Sequence, residues 1–139
     1  DVCSSDLASS PPTPAFRPTC CSLIVPGARK KSGTTNNRSW EGFALEQIVT
    51  WAGERNAFFW ATHGGAELDL LVHAKGKRWG FEFKYQDAPK MTKSLHTALA
   101  DLQLEHAWVI YPGTASYALH EKVDCLGLCE IAKIKPLIA

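Results

Sequence analysis

Two carboxylates and an amine lie on neighbouring apolar stretches of the chain, in a combination that suits metal-assisted catalysis. Asp69 lies in the run Ala66 to Ala74, and Glu82 and Lys84 lie in the next run, Lys77 to Tyr85. Carboxylate oxygens are the ligands that Mg²⁺ and Mn²⁺ take, together with waters. A lysine beside such an ion can orient or deprotonate the attacking water, or neutralise negative charge that develops during the reaction. These residue types therefore predict a metal-dependent catalytic site.

The two runs are predicted to form a β-hairpin, because a short Lys75-Gly76 turn separates them. With a two-residue loop, Ala74 opposes Lys77, and counting back along both strands places Asp69 opposite Glu82. Directly opposed residues have Cβ atoms roughly 4.5–5.5 Å apart, which lets two carboxylates share an ion. Like charges at that distance destabilise a hairpin, so the pairing favours a binding role over a structural one.

Side chains alternate between the two faces of a strand, so odd- and even-numbered residues of each strand of the hairpin lie on opposite faces of the sheet. Leu68, Leu70 and Val72 are expected on the face opposite Asp69, where helices would cover them. The face that carries Asp69 is expected to open at one edge of the sheet. The alternative for this face is an ordinary solvated surface with a simple Glu–Lys ion pair.

The order of the remaining elements is predicted from apolar periodicity. Ser39 suits the N-cap of a helix over about residues 40–54, whose apolar residues form one stripe. Further elements are predicted at 56–62 (strand), at about 91–104 (helix), at 107–111 (buried strand) and at 117–119 and 123–128 (edge strands). A helix of about a dozen residues between two strands has the length that a parallel crossover requires.

Four short stretches resemble a known family. They are Trp40 to Leu45, Gly65 to Asp69, Phe81 to Lys84 and Ala107 to Tyr111. In this order they resemble the DUF4143 domain of unknown function, which follows an AAA+ ATPase domain in prokaryotic ATP-binding proteins. The Asp and Glu-x-Lys pattern also resembles the PD-(D/E)xK nuclease superfamily. The resemblance extends over most of the chain, from about residue 39 to about residue 134.

The resemblance implies an α/β fold with a restriction-endonuclease-like α-β-β-β-α-β core, in which helices flank a mixed central sheet. It also implies that Asp69 and Glu82 hold Mg²⁺ or Mn²⁺ and that DNA or RNA is the substrate. Glu41, on the first helix, matches a further acidic ligand of such nucleases. The alternative for Glu41 is a first-turn glutamate that the helix dipole favours.

Nucleic-acid binding would have to depend on local patches, because the formal net charge of the chain is only +1. Lys90 and Lys93, at the start of the second predicted helix, are expected to contact substrate phosphates if this edge faces the substrate. Otherwise they are ordinary surface lysines.

Residues 1–37 are rich in Pro, Ser and Thr and lack apolar periodicity, so they are predicted to be a disordered or artefactual arm. Residues 38–139 are predicted to be one nuclease-like domain, a fragment of a larger ATPase protein. No run approaches the ~18–20 apolar residues of a membrane span. The 5 cysteines do not describe a disulfide framework, so a cytoplasmic location is expected.

Three functions remain open from the sequence. The first is a Mg²⁺-dependent phosphodiesterase acting on nucleic acid. The second is a non-catalytic docking or regulatory module for an upstream AAA+ ATPase domain, which would be missing from this chain. The third is a fragment without a function of its own. The chain shows no Gly-rich loop ending in Lys-Ser/Thr, so ATP binding by this chain is not expected.

Overall fold

A seven-stranded mixed β-sheet with helices against both faces makes up the described part of the computed structural model. The structure describes the backbone of residues 22–26 and 35–139 and the side chains of residues 40–139. The strands are β1 (Ser22–Pro26), β2 (Ala57–Thr62), β3 (Glu67–Ala74), β4 (Lys77–Phe83), β5 (His106–Tyr111), β6 (Tyr117–His120) and β7 (Val123–Gly127). The helices are α1 (Thr35–Ala52), α2 (Lys93–Leu102) and α3 (Lys135–Ile138), with 3₁₀ turns at Glu54–Asn56 and Leu128–Ile134.

The order of the strands across the sheet is β1-β2-β3-β4-β5-β7-β6. Strands β1 to β4 are antiparallel neighbours, whereas β5 is parallel to both β4 and β7. The succession α1-β2-β3-β4-α2-β5 confirms the predicted α-β-β-β-α-β order. Helix α2 joins β4 to the parallel strand β5, so the predicted crossover is also confirmed.

Two apolar clusters bury the two faces of the sheet. Helix α1 buries Ala44 and Ile48 in one cluster, and α2 buries Leu95, Ala98 and Leu102 in the other. The three α2 residues recur at a spacing that places them on one side of a helix. Because β5 lies between these clusters, both of its faces are apolar, which explains its continuous hydrophobic run.

The hairpin turn forms as predicted. Ala74 pairs with Lys77, and the same register continues to the pair Leu70 and Phe81. Lys75 and Gly76 both adopt the left-handed backbone conformation, with φ of 54° and 74°. A two-residue turn with positive φ at both positions matches the twist of the two strands, so it fixes the register that the sequence predicted.

Strand β3 contains a bulge, and as a result one leucine side chain lies on the other face of the sheet from the one predicted. Trp60 pairs with Leu68 but Phe58 pairs with Leu71, so two residues of β3 lie opposite a single residue of β2. A bulge of this kind shifts the alternation of side chains by one residue. Leu68 therefore packs in the cluster around α2, and the prediction that it shares a face with Leu70 is wrong.

The segment before residue 38 contributes regular structure where the sequence predicted a disordered arm. Strand β1 pairs with β2, and α1 begins at Thr35. Residues 1–21 and 27–34 of this segment lie outside the described residues, and the division of the chain at residue 37 stays a prediction. No helix in the described ranges is long and apolar enough to cross a membrane.

Candidate functional site

Two buried carboxylates lie at the end of the β3–β4 hairpin opposite its turn. The side chains of Asp69 and Glu82 belong to residues that are 3% and 5% exposed. Burying an ionised carboxylate is costly unless its charge is balanced by hydrogen bonds or by cations. The face that was predicted to open at an edge is covered by α2 instead, and Lys84 is the member of the predicted trio that reaches solvent, with 27% of its side chain exposed.

Asp69 lies at the bulge in β3, one residue beyond the last regular pair of the β3–β4 ladder. Its Oδ2 atom accepts a hydrogen bond of 2.9 Å from the backbone N–H of Phe83. The side chain thus takes the place of a backbone acceptor at the end of the ladder.

Glu82 is held from two sides. Its Oε1 atom lies 2.7 Å from Nζ of Lys84, and its Oε2 atom accepts a longer hydrogen bond of 3.3 Å from the hydroxyl of Thr92. The hydroxyl oxygen of Thr92 also accepts the backbone N–H of Leu95 at 3.1 Å, which makes Thr92 the N-cap of α2. The partial positive charge at the start of α2 therefore lies beside the Glu82 carboxylate.

Lys84 experiences several negative charges. Its partial burial alone would lower the pKa, but the hydrogen bond and charge of Glu82 outweigh this effect. The charges of Asp69 and Glu41 act in the same direction, so the net shift raises the Lys84 pKa above its ordinary value. The amine is therefore held as a charged ammonium group at neutral pH, which suits charge stabilisation better than proton abstraction.

Removal of the Glu82 charge is expected to lower the Lys84 pKa. In Glu82→Gln the desolvation of Lys84 persists while its main stabilising partner becomes neutral. The pKa, followed through the ¹³Cε chemical shift of Lys84, should fall from its raised position in the wild type. Glu105→Gln is the matched control, because Glu105 pairs with the exposed Lys77. An unchanged Lys84 pKa in Glu82→Gln would show that the ion pair does not set it.

The remaining predicted residues lie around this centre. Glu41 is half-buried on α1, and its charge acts on Lys84. Lys90 and Lys93 are exposed on either side of Thr92 in the chain. Their loop is anchored by the hydroxyl of Tyr117, which donates a 2.9 Å hydrogen bond to the carbonyl of Pro89. Because Thr92 contacts Glu82, the start of α2 lies beside the Glu82 side of the site.

Asp69 and Glu82 are the two residues near Lys84 that could hold a hard divalent cation. In the part of the chain that is described, no three carboxylate, imidazole or thiol groups come together to hold an ion. The structure thus does not bring Glu41 together with Asp69 and Glu82 as a three-ligand group. Mg²⁺ commonly takes one or two carboxylates and completes its shell with waters and phosphate oxygens. The three carboxylates whose charges act on Lys84 make this region attractive to a cation.

Thr92 is the residue of this site that the sequence did not predict. A threonine before an apolar-periodic helix is recognisable as an N-cap. Its contact with Glu82 depends on how α2 packs over the hairpin, which local sequence patterns do not encode.

Comparisons with known proteins give a family and two relatives. The profile of a family described as a domain of unknown function (DUF4143) matches residues 36–131. An uncharacterised protein of Mycobacterium bovis and one of Mycobacterium tuberculosis are each 40% identical over 85 residues, which is 61% of this chain and 19% of the relative. The chain thus spans about a fifth of the length of the curated relatives that it matches. No solved structure matches it.

Proposed function

The chain belongs to the DUF4143 family of domains of unknown function, and we propose that it is a metal-dependent phosphodiesterase acting on nucleic acid. The observation that carries the proposal is the burial of Asp69 and Glu82 beside Lys84, at the end of the β3–β4 hairpin opposite its turn. The Asp and Glu-x-Lys pattern and the α-β-β-β-α-β order are those of the PD-(D/E)xK nucleases. Both features support a restriction-endonuclease-like site in this chain.

Asp69 and Glu82 would hold the cation, and Glu41 would add negative charge at the border of the site. When bound, Mg²⁺ or Mn²⁺ would polarise a phosphoryl oxygen and make a water more acidic. The hydrogen bond from Phe83 N–H orients the Asp69 carboxylate, and Lys84 together with Thr92, the N-cap of α2, orients the Glu82 carboxylate.

Lys84 would stabilise the negative charge that develops on the phosphate during hydrolysis. Its raised pKa keeps it protonated, so it acts as a cation and hydrogen-bond donor rather than as the base. Its partial exposure allows it to reach a substrate while its amine stays beside Glu82. Lys90 and Lys93 would contact flanking phosphates of DNA or RNA from the start of α2.

A docking or regulatory module for an AAA+ ATPase domain is the second candidate function. The length of the mycobacterial relatives favours it, because about four fifths of each relative lies outside the matched segment. In this case the buried acidic pair would be a remnant without catalysis. We propose a cytoplasmic location under either function, with which the free thiols of Cys125 and Cys129 in the described part of the chain agree.

The two functions are separated by a cleavage assay on labelled single-stranded and duplex DNA and RNA with Mg²⁺, Mn²⁺ or EDTA. The phosphodiesterase proposal predicts cleavage that requires the divalent ion. Glu105→Gln, which alters an exposed carboxylate paired with Lys77, should cleave as the wild type does. Absence of cleavage with both ions, together with capture of an AAA+ ATPase domain, would favour the docking function.

A further inference from the structure

Thr92 links the start of α2 to one of the two buried carboxylates. Its hydroxyl oxygen accepts the backbone N–H of Leu95 at 3.1 Å, and it lies 3.3 Å from Oε2 of Glu82. A hydroxyl has a single proton to donate, whereas an ionised carboxylate only accepts. The proton of the Thr92 hydroxyl is therefore directed at Glu82, and one side chain serves two partners.

The position of Thr92 is fixed from both directions along the chain. After it, the buried apolar side of α2 packs against the sheet. Before it, the carbonyl of Pro89 accepts a hydrogen bond of 2.9 Å from the hydroxyl of Tyr117, which lies on the edge strand β6. Thr92 therefore approaches Glu82 from a segment that is anchored at both ends.

Two donors hold the Glu82 carboxylate, and together they leave room for an ion. Lys84 contacts its Oε1 atom, and Thr92 contacts its Oε2 atom. Each carboxylate oxygen can accept from two directions, so both oxygens keep a direction for a cation. Because each oxygen has its own donor, the carboxylate cannot rotate without breaking a hydrogen bond.

Resting on the proposed cation site, we propose that Thr92 is a positioning residue, which holds the Glu82 carboxylate in the orientation that binds the divalent ion. Groups that hydrogen-bond a metal-ligating carboxylate contribute to metal affinity although they do not touch the ion. Glu82 is only 5% exposed, so water does not readily replace a lost donor there. The start of α2 then belongs to the ion site as well as to the fold.

A helix cap without a further role is the competing explanation for Thr92. It predicts that loss of the hydroxyl lowers the stability of the chain and leaves its metal affinity unchanged. Glycine separates the two roles, because it caps a helix nearly as well as threonine but has no hydroxyl. Thr92→Gly should therefore lose the contact with Glu82 at little cost to α2.

The proposal is tested by calorimetric titration of the full chain with Mn²⁺, alongside denaturant unfolding in EDTA. Thr92→Val and Thr92→Gly should each bind Mn²⁺ about 10- to 100-fold more weakly than the wild type, the range for loss of such a partner. Thr92→Ser keeps the hydroxyl and should bind Mn²⁺ as the wild type does.

Two further variants of α2 and its surroundings serve as controls. Thr97→Val removes a hydroxyl that bonds the carbonyl of Lys93 within the same helix, and it should leave Mn²⁺ affinity unchanged. Arg78→Met removes a hydrogen bond to the carbonyl of Leu102 at the other end of α2. It should lower the stability of the chain without weakening Mn²⁺ binding by the folded protein.

The possible failures are distinguishable. Wild-type Mn²⁺ affinity in Thr92→Val and Thr92→Gly, or an equal loss of affinity in Arg78→Met, would overturn the proposal and leave Thr92 as a helix cap, while the cation site stands. Weaker Mn²⁺ binding in both Thr92 variants, without cleavage of nucleic acid by the wild type, would support the role of Thr92 and overturn the phosphodiesterase. A wild type that binds no Mn²⁺ would overturn both the role of Thr92 and the cation site.

Discussion

A chain carrying Asp69→Asn is expected to cleave nucleic acid at least about 10³-fold more slowly than the wild type. Metal coordination contributes several kcal/mol of charge stabilisation to hydrolysis, and each 1.36 kcal/mol corresponds to a factor of about ten in rate. An amide oxygen in place of a carboxylate removes the charge that attracts the ion. Glu82→Gln is expected to have a comparable effect, since Glu82 is the other proposed ligand.

The same substitution should leave the fold intact, which separates loss of the site from loss of structure. The amide oxygen of Asn can still accept the hydrogen bond from Phe83 N–H, and its volume is nearly that of Asp69. We therefore expect the free energy of unfolding to change by no more than about 1 kcal/mol. Denaturant unfolding measures it, and cleavage at the wild-type rate by a folded Asp69→Asn chain would remove Asp69 from the mechanism.

Replacement of Lys84 by methionine is expected to reduce the cleavage rate by about 10²- to 10³-fold. Loss of one preorganised donor at a developing negative charge has a cost of this size. Methionine keeps most of the apolar length of the side chain but removes the charge that pairs with Glu82. Metal binding should persist in this variant, because both carboxylates remain.

Lys84→Arg distinguishes the two roles that a lysine can have here. Arginine carries the same charge but cannot act as a base at accessible pH. Because the raised pKa assigns Lys84 a role in charge stabilisation, Lys84→Arg should retain more activity than Lys84→Met. Equal loss of single-turnover rate in both variants, with metal binding retained, would indicate that proton abstraction or an exact fit of the ammonium is essential.

The pH dependence of stability follows from the same ion pair. The folded-state pKa of Lys84 is raised above its ordinary 10.5, so the pair stabilises the folded chain at lower pH. This contribution is lost as pH rises through the folded-state pKa. At neutral pH it is therefore fully present, and changes in activity there do not report the titration of Lys84.

The sequence was sufficient for features that depend on local geometry. The Lys75-Gly76 turn fixes the hairpin register, and the apolar periodicities fix the order of helices and strands. The register in turn brought Asp69 and Glu82 to the same end of the hairpin. Such features were predictable because turn conformation and side-chain alternation are properties of short segments.

The features that the sequence missed depend on contacts between distant elements. Leu68 changes face because β3 pairs with β2 through a bulge, and nothing within β3 itself signals that extra residue. Thr92 reaches Glu82 because α2 packs over the hairpin, which also buries a face that was expected to be open. Strand β1 forms from a segment of low apolar periodicity by pairing with β2.

The central claim, that Asp69 and Glu82 share a divalent ion, is tested most directly by calorimetric titration of the chain with Mn²⁺. We expect the wild type and Glu105→Gln to bind the ion, and both Asp69→Asn and Glu82→Gln to lose most of that binding. Lys84→Met should still bind. Absence of Mn²⁺ binding in the wild type, or binding as tight as that of the wild type in either carboxylate variant, would contradict the claim.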